Sequence, residues 1–367
     1  MVRTPAGHDA VLLVRGEDVE AALGDARLAH NLTAAGSPRI HPASSFRQDP
    51  RLMTNMDGPE HLRLRRIVAP TFTPRNVSRW ELEINAIADA LCGAMINAGP
   101  SADITAAYCF PLPLQIICQL LGVPSADADQ FRQSSAAFLS AVPMTSAQRA
   151  EQVEDFTAYV TELVGVRRRH PGDALIDSLI AARDGDDRLS EPELAMMILG
   201  LIAVGNEATS NSLARAIRTL LSSRREGWTA LLADPGLLPP AVDEVLRYSP
   251  PGGMFAMRQA VETVELPSGT LEKGQAVIIA SESALRDADV YPDPDTVRFD
   301  RPKRPQLVFG GGPHYCLGAH LAKAELIAGI GCLLRRLPDL RLEIDFESVR
   351  FSNGDILSSP LALPVSW

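Results

Sequence analysis

Cys316 closes the segment Phe309-Gly310-Gly311-Gly312-Pro313-His314-Tyr315-Cys316-Leu317-Gly318, and the run Ala319 to Leu334, helical in its spacing, follows at once. Glycines let a backbone pass close to a flat ligand without side-chain clash. The segment then delivers one sulfur at a helix N-terminus. There, orphan N–H groups and the positive end of the dipole favour a thiolate over a thiol. A single thiolate on a rigid loop is what an axial ligand of haem iron requires, because such ligation pushes electron density onto the metal and favours O–O cleavage. The alternative is a glycine turn with a buried, inert cysteine. Cys92, Cys109, Cys118 and Cys332 lie in apolar surroundings and read as core. Five cysteines with no CxxC pair argue against a disulfide framework or a zinc ribbon.

Two further constellations carry chemistry. Glu244-Val245-Leu246-Arg247 places an acid and a guanidinium at i and i+3 on one helical face. Taken alone, it reads as an ordinary surface pair of little energetic value. Leu201-Ile202-Ala203-Val204-Gly205-Asn206-Glu207-Ala208-Thr209-Ser210-Asn211 interrupts an otherwise apolar helical stretch with polar residues.

The elements that must position these residues are mostly helices. Ala10 to Val14 reads as a strand and Gly16 to about Leu23 as a helix, followed by a polar, proline-bearing loop from Thr33 to Asn55. Pro59 to Val68 reads as a short basic helix. Helical spacing recurs over Val77–Ala98, Pro111–Leu121, Ala126–Leu139, Ala147–Val166 and Ala174–Ala182. The longest helix runs from an N-cap at Ser190, with Glu193 three residues on, to about Leu221. Pro239 to Tyr248 is a further helix. Strands follow at Ala260–Leu266 and Gln275–Ala280, and the tail from Ser352 to Trp367 reads as a hairpin. The fold class is therefore mainly α, an α+β chain with small sheets.

The 367 residues show no linker, repeat or low-complexity tract, so 1–367 reads as one domain. A net charge of −10 and a pI near 5.3 argue against a general nucleic-acid binder. No apolar run of membrane-spanning length occurs, and the N-terminus lacks a signal-peptide core, which points to a cytoplasmic protein.

The spacing Phe-Gly-x-Gly-x-His-x-Cys-x-Gly resembles the haem-binding signature of the cytochromes P-450. The resemblance spans nearly everything from Asp9 to Trp367, with the motifs in family order. It implies the cytochrome P-450 fold, a large helical domain with small β-sheets, and heme b ligated by Cys316, with Phe309 and Gly318 beside it. It implies haem-propionate contacts from His61, Arg65, Arg258 and His314, since Arg and His are the expected carboxylate donors. Arg63 and Arg66 read instead as a solvated basic face, or as a greeting to an acidic redox partner. Glu244 and Arg247 become a buried structural pair that locks their helix to the loop before Cys316. In the oxygen-activation segment, Gly205 would allow close approach to the haem and could seed a local widening of the helix. Glu207 takes the acidic position, with a merely water-linked carboxylate as its alternative. Ala208 stands where the family usually has threonine. Thr209 follows, about 100° round the helix. Val204, Met254, Phe255 and Ile356 are implied pocket residues, with general core packing as their alternative.

The implied activity is that of a soluble bacterial-type monooxygenase. It would use O2 and electrons from a ferredoxin-like or flavin partner to oxidise a small organic substrate in secondary metabolism. Oxidative coupling, peroxide-driven oxidation, or a haem-binding carrier or sensor without turnover remain alternatives. The start of the chain departs from the family pattern, lacking the usual N-terminal helix and first strand.

Overall fold

The computed structural model describes residues 1–34, 36–40, 49–124, 146–184, 189–222, 224–252, 255–352 and 357–367. In chain order the helices are α1 (Gly16–Gly24), α2 (Gly58–Val68), α3 (Pro74–Val77), α4 (Glu81–Ala98), α5 (Pro111–Leu121) and α6 (Ser146–Arg169). They continue with α7 (Leu175–Asp184), α8 (Glu191–Leu220), α9 (Glu226–Ala233), α10 (Leu238–Tyr248), α11 (Ser281–Ala284) and α12 (Ala319–Arg336). The strands are β1 (Val2–Arg3), β2 (Asp9–Leu13), β3 (Leu28–Ala29), β4 (Ser101–Asp103) and β5 (Phe255–Ala260). After them come β6 (Val264–Leu266), β7 (Gly269–Leu271), β8 (Ala276–Ala280), β9 (Arg341–Leu342) and β10 (Pro364–Ser366). This is the mainly helical chain with small sheets that the periodicity implies.

The long helix α8 starts as its sequence requires. Ser190 accepts the Glu193 N–H through its hydroxyl, and the Glu193 carboxylate accepts the Ser190 N–H at 2.7 Å. This reciprocal cap satisfies two orphan donors. α8 then packs against α5 and α12, while α4 packs on both of those. Leu112, Ile198, Ile202, Leu213, Ile217 and Ile330 are buried in this shared core. Each such side chain contributes about 1.5–3 kcal/mol of burial. Tyr108, fully buried before α5, donates its hydroxyl to the Gly329 carbonyl of α12 at 3.0 Å. That bond fixes the helix that follows the cysteine loop.

The five-stranded sheet has the order β1-β2-β8-β5-β3, with β2 and β8 parallel and the other pairs antiparallel. Its register sets Arg258 opposite Val277 and Ala29 opposite Gln259. A three-stranded sheet, β4-β10-β9, and the hairpin β6-β7 complete the β structure among the described residues.

Several expectations need correction. The strand expected over Ala260–Leu266 is two elements: β5 ends at Ala260, and β6 folds back on β7 through Pro267 and Ser268. The tail is not a simple hairpin. Phe351 and Pro360 form an isolated antiparallel bridge, and β10 inserts between β4 and β9, where long-range pairing outweighs the local turn. The helix expected from Val77 breaks at Trp80 into α3, a 3-10 turn and α4. A short strand, β1, precedes the strand expected first and pairs with it. The helix expected over Ala126–Leu139 lies outside the described residues. Among the described residues no helix is long and apolar enough to cross a membrane.

Candidate functional site

The approach to Cys316 is fixed from behind. Glu244 and Arg247 on α10 are both nearly fully buried, with side chains 3% exposed, and their carboxylate and guanidinium meet at 2.8 and 2.9 Å. Arg301, which the sequence reading did not single out, also donates to Glu244, at 3.0 Å, and the Arg298 N–H adds a bond at 2.9 Å. The remaining guanidinium donors go to main-chain carbonyls. Arg247 reaches Leu285, and Arg301 reaches Pro292, Asp293 and Thr296. The cluster therefore pins the irregular segment 285–301 to α10, shortly before the cysteine loop begins. Its signal in the sequence was half visible, since Arg301 has no fixed spacing from the i, i+3 pair.

The loop itself turns on a short 3-10 element, Leu307–Phe309, and on Gly310, which has φ +73°. The Cys316 N–H donates to the Phe309 carbonyl at 2.8 Å, closing the loop around its glycines. At Gly312, φ is +59° and an added Cβ would lie 3.0 Å from the Gly24 Cα, so the loop packs backbone to backbone on the end of α1. That contact is a reason for glycine which the sequence could not display. At Gly318, by contrast, an added Cβ would meet nothing within 4 Å. Burial pushes the Cys316 thiol above its ordinary range, and the Gly318 N–H and the Arg65 guanidinium act against that. Desolvation of the sulfur's charge and these two favourable contacts thus pull in opposite directions.

Around the loop, α2, the end of β3 and β5 gather positive and imidazole groups. The His314 ring lies between two others, 3.3 Å from His30 and 4.0 Å from His61, centroid to centroid, and nearly parallel to both. Arg65 donates to the Tyr315 carbonyl at 2.5 Å, directly beside Cys316. Arg258 is half-buried and donates to the neighbouring Met257 carbonyl at 2.7 Å. Burial lowers its pKa to about 10, with Asp57 opposing. Burial, then the charges of His314 and Arg65, lower His61 to about 4. His30 is lowered too, first by burial and then by Arg258. Asp57 faces this group, its Oδ1 3.4 Å from His314 Nε2. Burial would raise Asp57, but bonds from His314, Asn31 and His30 hold it below the usual carboxylate range. His61, Arg65, Arg258 and His314 are therefore brought together, and His30 and Asp57 join them without having been anticipated. Their only sequence signal was a histidine and an aspartate in a polar region. Arg63 is turned elsewhere and pairs with Glu193, tying α2 to the first turn of α8.

The polar interruption of α8 is continuous helix, not a widened one. A Cβ at Gly205 would meet the Ile117 side chain at 3.5 Å, an ordinary contact, so its protein neighbours do not demand glycine there. The Thr209 hydroxyl donates to the Gly205 carbonyl at 3.2 Å, and Ser212 donates to the Ala208 carbonyl at 2.8 Å. These back-bonds explain how polar residues persist in the helix. Val204 is 56% exposed, unusual for an aliphatic residue in the middle of a central helix. Glu207 is half-buried. Met254, Ile356 and the side chain of Phe255 lie outside the described residues.

The donor set fits a haem. One sulfur stands at the head of α12, two residues before Gly318, where an added Cβ would meet nothing within 4 Å among the described residues. Two guanidiniums and three imidazoles against one carboxylate suit a group that carries two carboxylates of its own. Fold and site together define an enzyme of the haem-thiolate class. The family described as Cytochrome P450 matches residues 114–345. The chain is 41% identical to nocardicin C N-oxygenase of Nocardia uniformis subsp. tsuyamanensis, over 100% of its length and 92% of that protein. It is 40% identical to mycinamicin IV hydroxylase/epoxidase of Micromonospora griseorubida, over 100% and 91%. Its fold overlays the crystal structure of the LnmA cytochrome P450 hydroxylase from the leinamycin pathway of Streptomyces atroolivaceus with a TM-score of 0.91, at 35% identity and covering 100% and 92% of the two chains. The chain belongs to the cytochrome P450 family and is an oxidoreductase of its monooxygenase class.

Proposed function

We propose that this chain holds heme b through the Cys316 sulfur. It then oxidises a small, oxygen-bearing organic molecule of secondary metabolism, using O2 and electrons from a ferredoxin-like or flavin partner. The observation that carries the reading is the convergence of the Cys316 loop with His61, Arg65, Arg258 and His314. The relatives' names support the substrate class, since each acts on, or belongs to the pathway of, a natural product. Bound there, the haem would supply the O2-activating chemistry, with thiolate ligation favouring O–O cleavage.

The chain's own residues do the rest. Cys316 would supply the sulfur that holds the haem, and its loop is fixed by its N–H on the Phe309 carbonyl and by the packing of Gly312 on α1. His61, Arg258 and His314 offer donors to the carboxylate edge, while Arg65 braces the loop carbonyl at Tyr315. Val204 offers an apolar surface on α8 for substrate. Ala208 has no proton to give, and the Thr209 proton is engaged at the Gly205 carbonyl. Acid catalysis needs a donor within hydrogen-bond reach, directly or through one water. With the Thr209 proton engaged, the donor is an ordered water beside Glu207 or a hydroxyl of the substrate, and a substrate hydroxyl would make turnover selective for oxygenated substrates.

The test of ligation is the ferrous carbon monoxide spectrum. The wild type gives the red-shifted Soret band of thiolate ligation, and Cys316→Ala loses it. A retained band in Cys316→Ala ends the proposal. A second reading, peroxide-driven oxidation or oxidative coupling, is favoured by the engaged Thr209 hydroxyl. Product formed per NADPH consumed decides between the two readings. Ala208→Thr raises that ratio under the first reading, and Thr209→Val leaves it nearly unchanged. If neither substitution nor added reductase alters product formation while peroxide supports it, the second reading takes over.

A further inference from the structure

We infer that His30 is a further donor to the carboxylate edge of the haem and that Asp57 sets its position; this rests on the haem reading above. His30 leaves β3 one residue beyond Ala29, whose partner across the sheet is Gln259, the neighbour of Arg258. The sheet register thus carries His30 and Arg258 to the same end of the same strand pair. From the other side, Asp57 accepts the N–H groups of both His30 and Asn31, at 2.9 and 2.8 Å, through one oxygen. Asp57 is also the N-cap residue of α2, the helix that bears His61 and Arg65, yet its carboxylate does not cap that helix. It is spent on holding the end of β3. Its other oxygen faces His314 at 3.4 Å. One carboxylate therefore joins the three segments that carry His30, His61 and His314.

Several of the donors that the sequence implies are partly committed to the protein. His314 Nε2 is turned toward Asp57, Arg65 reaches the Tyr315 carbonyl, and Arg258 reaches the Met257 carbonyl. His30 has its backbone tied down, while its ring is stacked on His314 and its side chain bonds to no residue in this cluster. A half-buried imidazole beside the Arg258 guanidinium, with its backbone fixed and its ring edge without a hydrogen-bond partner among the described residues, is suited to donate to an anion. His30 extends the donor set from α2, β5 and the cysteine loop to the β3 side. Asp57 is a positioning residue in this scheme and touches no ligand.

The experiment follows haem loss from the holoenzyme to excess apomyoglobin. Four proteins are compared: wild type, His30→Ala, His30→Phe and His30→Gln. Phenylalanine keeps a stacking ring without a donor, and glutamine keeps a donor. Haem leaves His30→Ala and His30→Phe about tenfold faster than wild type, as expected for the loss of one hydrogen bond to a charged group. His30→Gln falls between. The thiolate carbon monoxide band stays in place in all four. In a second arm, the proteins are reconstituted with haem whose propionates are methyl esters. The difference between wild type and His30→Phe then disappears. Equal loss rates with ordinary haem would overturn the assignment, as would an undiminished difference with the diester, which would mean that His30 acts on the fold. His30→Phe and His30→Gln keep the test decisive should His30→Ala fail to fold. A wild type that lacks the thiolate band would instead overturn the haem reading itself, and this inference with it.

Discussion

The Glu244 cluster and the His314 cluster both gather charged side chains around the same loop, and they are built on opposite plans. The first is self-complementary. Glu244 meets two guanidiniums and an N–H, and the spare guanidinium donors find carbonyls in the segment they pin. The second is lopsided, with three imidazoles and two guanidiniums facing one carboxylate, and burial together with like charge depresses His30 and His61. A cluster that serves only the fold can satisfy its own donors, here with one carboxylate and several main-chain carbonyls. One that serves a ligand must leave charge and donors for the ligand to complete. The contrast separates the structural residues from the proposed binding residues better than burial does, since both sets are largely withdrawn from water.

The largest effect is expected where the balanced cluster is broken. Glu244→Ala leaves Arg247 buried without its counter-charge, a cost of roughly 3–5 kcal/mol. Denaturant unfolding of the apoprotein should show that loss, whether or not haem is present. If Glu244→Ala melts like wild type, the cluster is not what holds the 285–301 segment.

The next effect belongs to the lopsided cluster and should have the opposite signature. Arg258→Ala removes a half-buried cation from among like charges, so the apoprotein loses little stability. Haem retention, however, should fall by about tenfold, the worth of one hydrogen bond to a charged group. A parallel loss of apoprotein stability, with haem retention unchanged, would erase the distinction between the two clusters.

Glu325 sharpens the comparison with the smallest expected effect. It lies on α12, 3% exposed, and its Oε2 has no hydrogen-bond partner among the described residues. Burial raises its pKa well above the usual carboxylate range. A carboxyl whose folded pKa is raised contributes stability below its unfolded pKa and loses it as pH rises toward the folded value. Wild-type stability should therefore decline with pH above about 4.5, the unfolded reference. Glu325→Gln, of nearly the same shape and without charge, should flatten that decline and stabilise the protein at alkaline pH. Identical stability–pH curves for the two proteins would show that Glu325 is paired after all.

Much of this was legible from residues alone. The signature around Cys316, the capping box at Ser190 and the 3.6-residue periodicity of α5, α8 and α12 are local patterns, and local hydrogen bonds enforce them. Glu244 and Arg247 were visible as a pair because a helix fixes their spacing. Arg301 was not, because an irregular segment has no period. His30 and Asp57 were missed for the same reason. They lie 27 residues apart and meet where the Asp57 carboxylate accepts the main-chain N–H of His30, together with that of Asn31, a contact that no spacing encodes. The glycines of the cysteine loop could be read as room for a ligand. Only the packing of Gly312 on the end of α1 showed a second cause.

The sequence by itself determined the class: a mainly helical chain, a single sulfur delivered to the head of a helix, and an alanine where a hydroxyl would be expected. Such features depend on neighbours along the chain, within one turn or one loop. The tertiary structure decided which charges are neutralised and which are left for a ligand. It set Arg301 on Glu244, turned Arg63 toward Glu193, engaged the Thr209 hydroxyl at Gly205, and brought His30 against His314. Charge balance and desolvation depend on what surrounds a group in three dimensions, and segments far apart in sequence supply those surroundings.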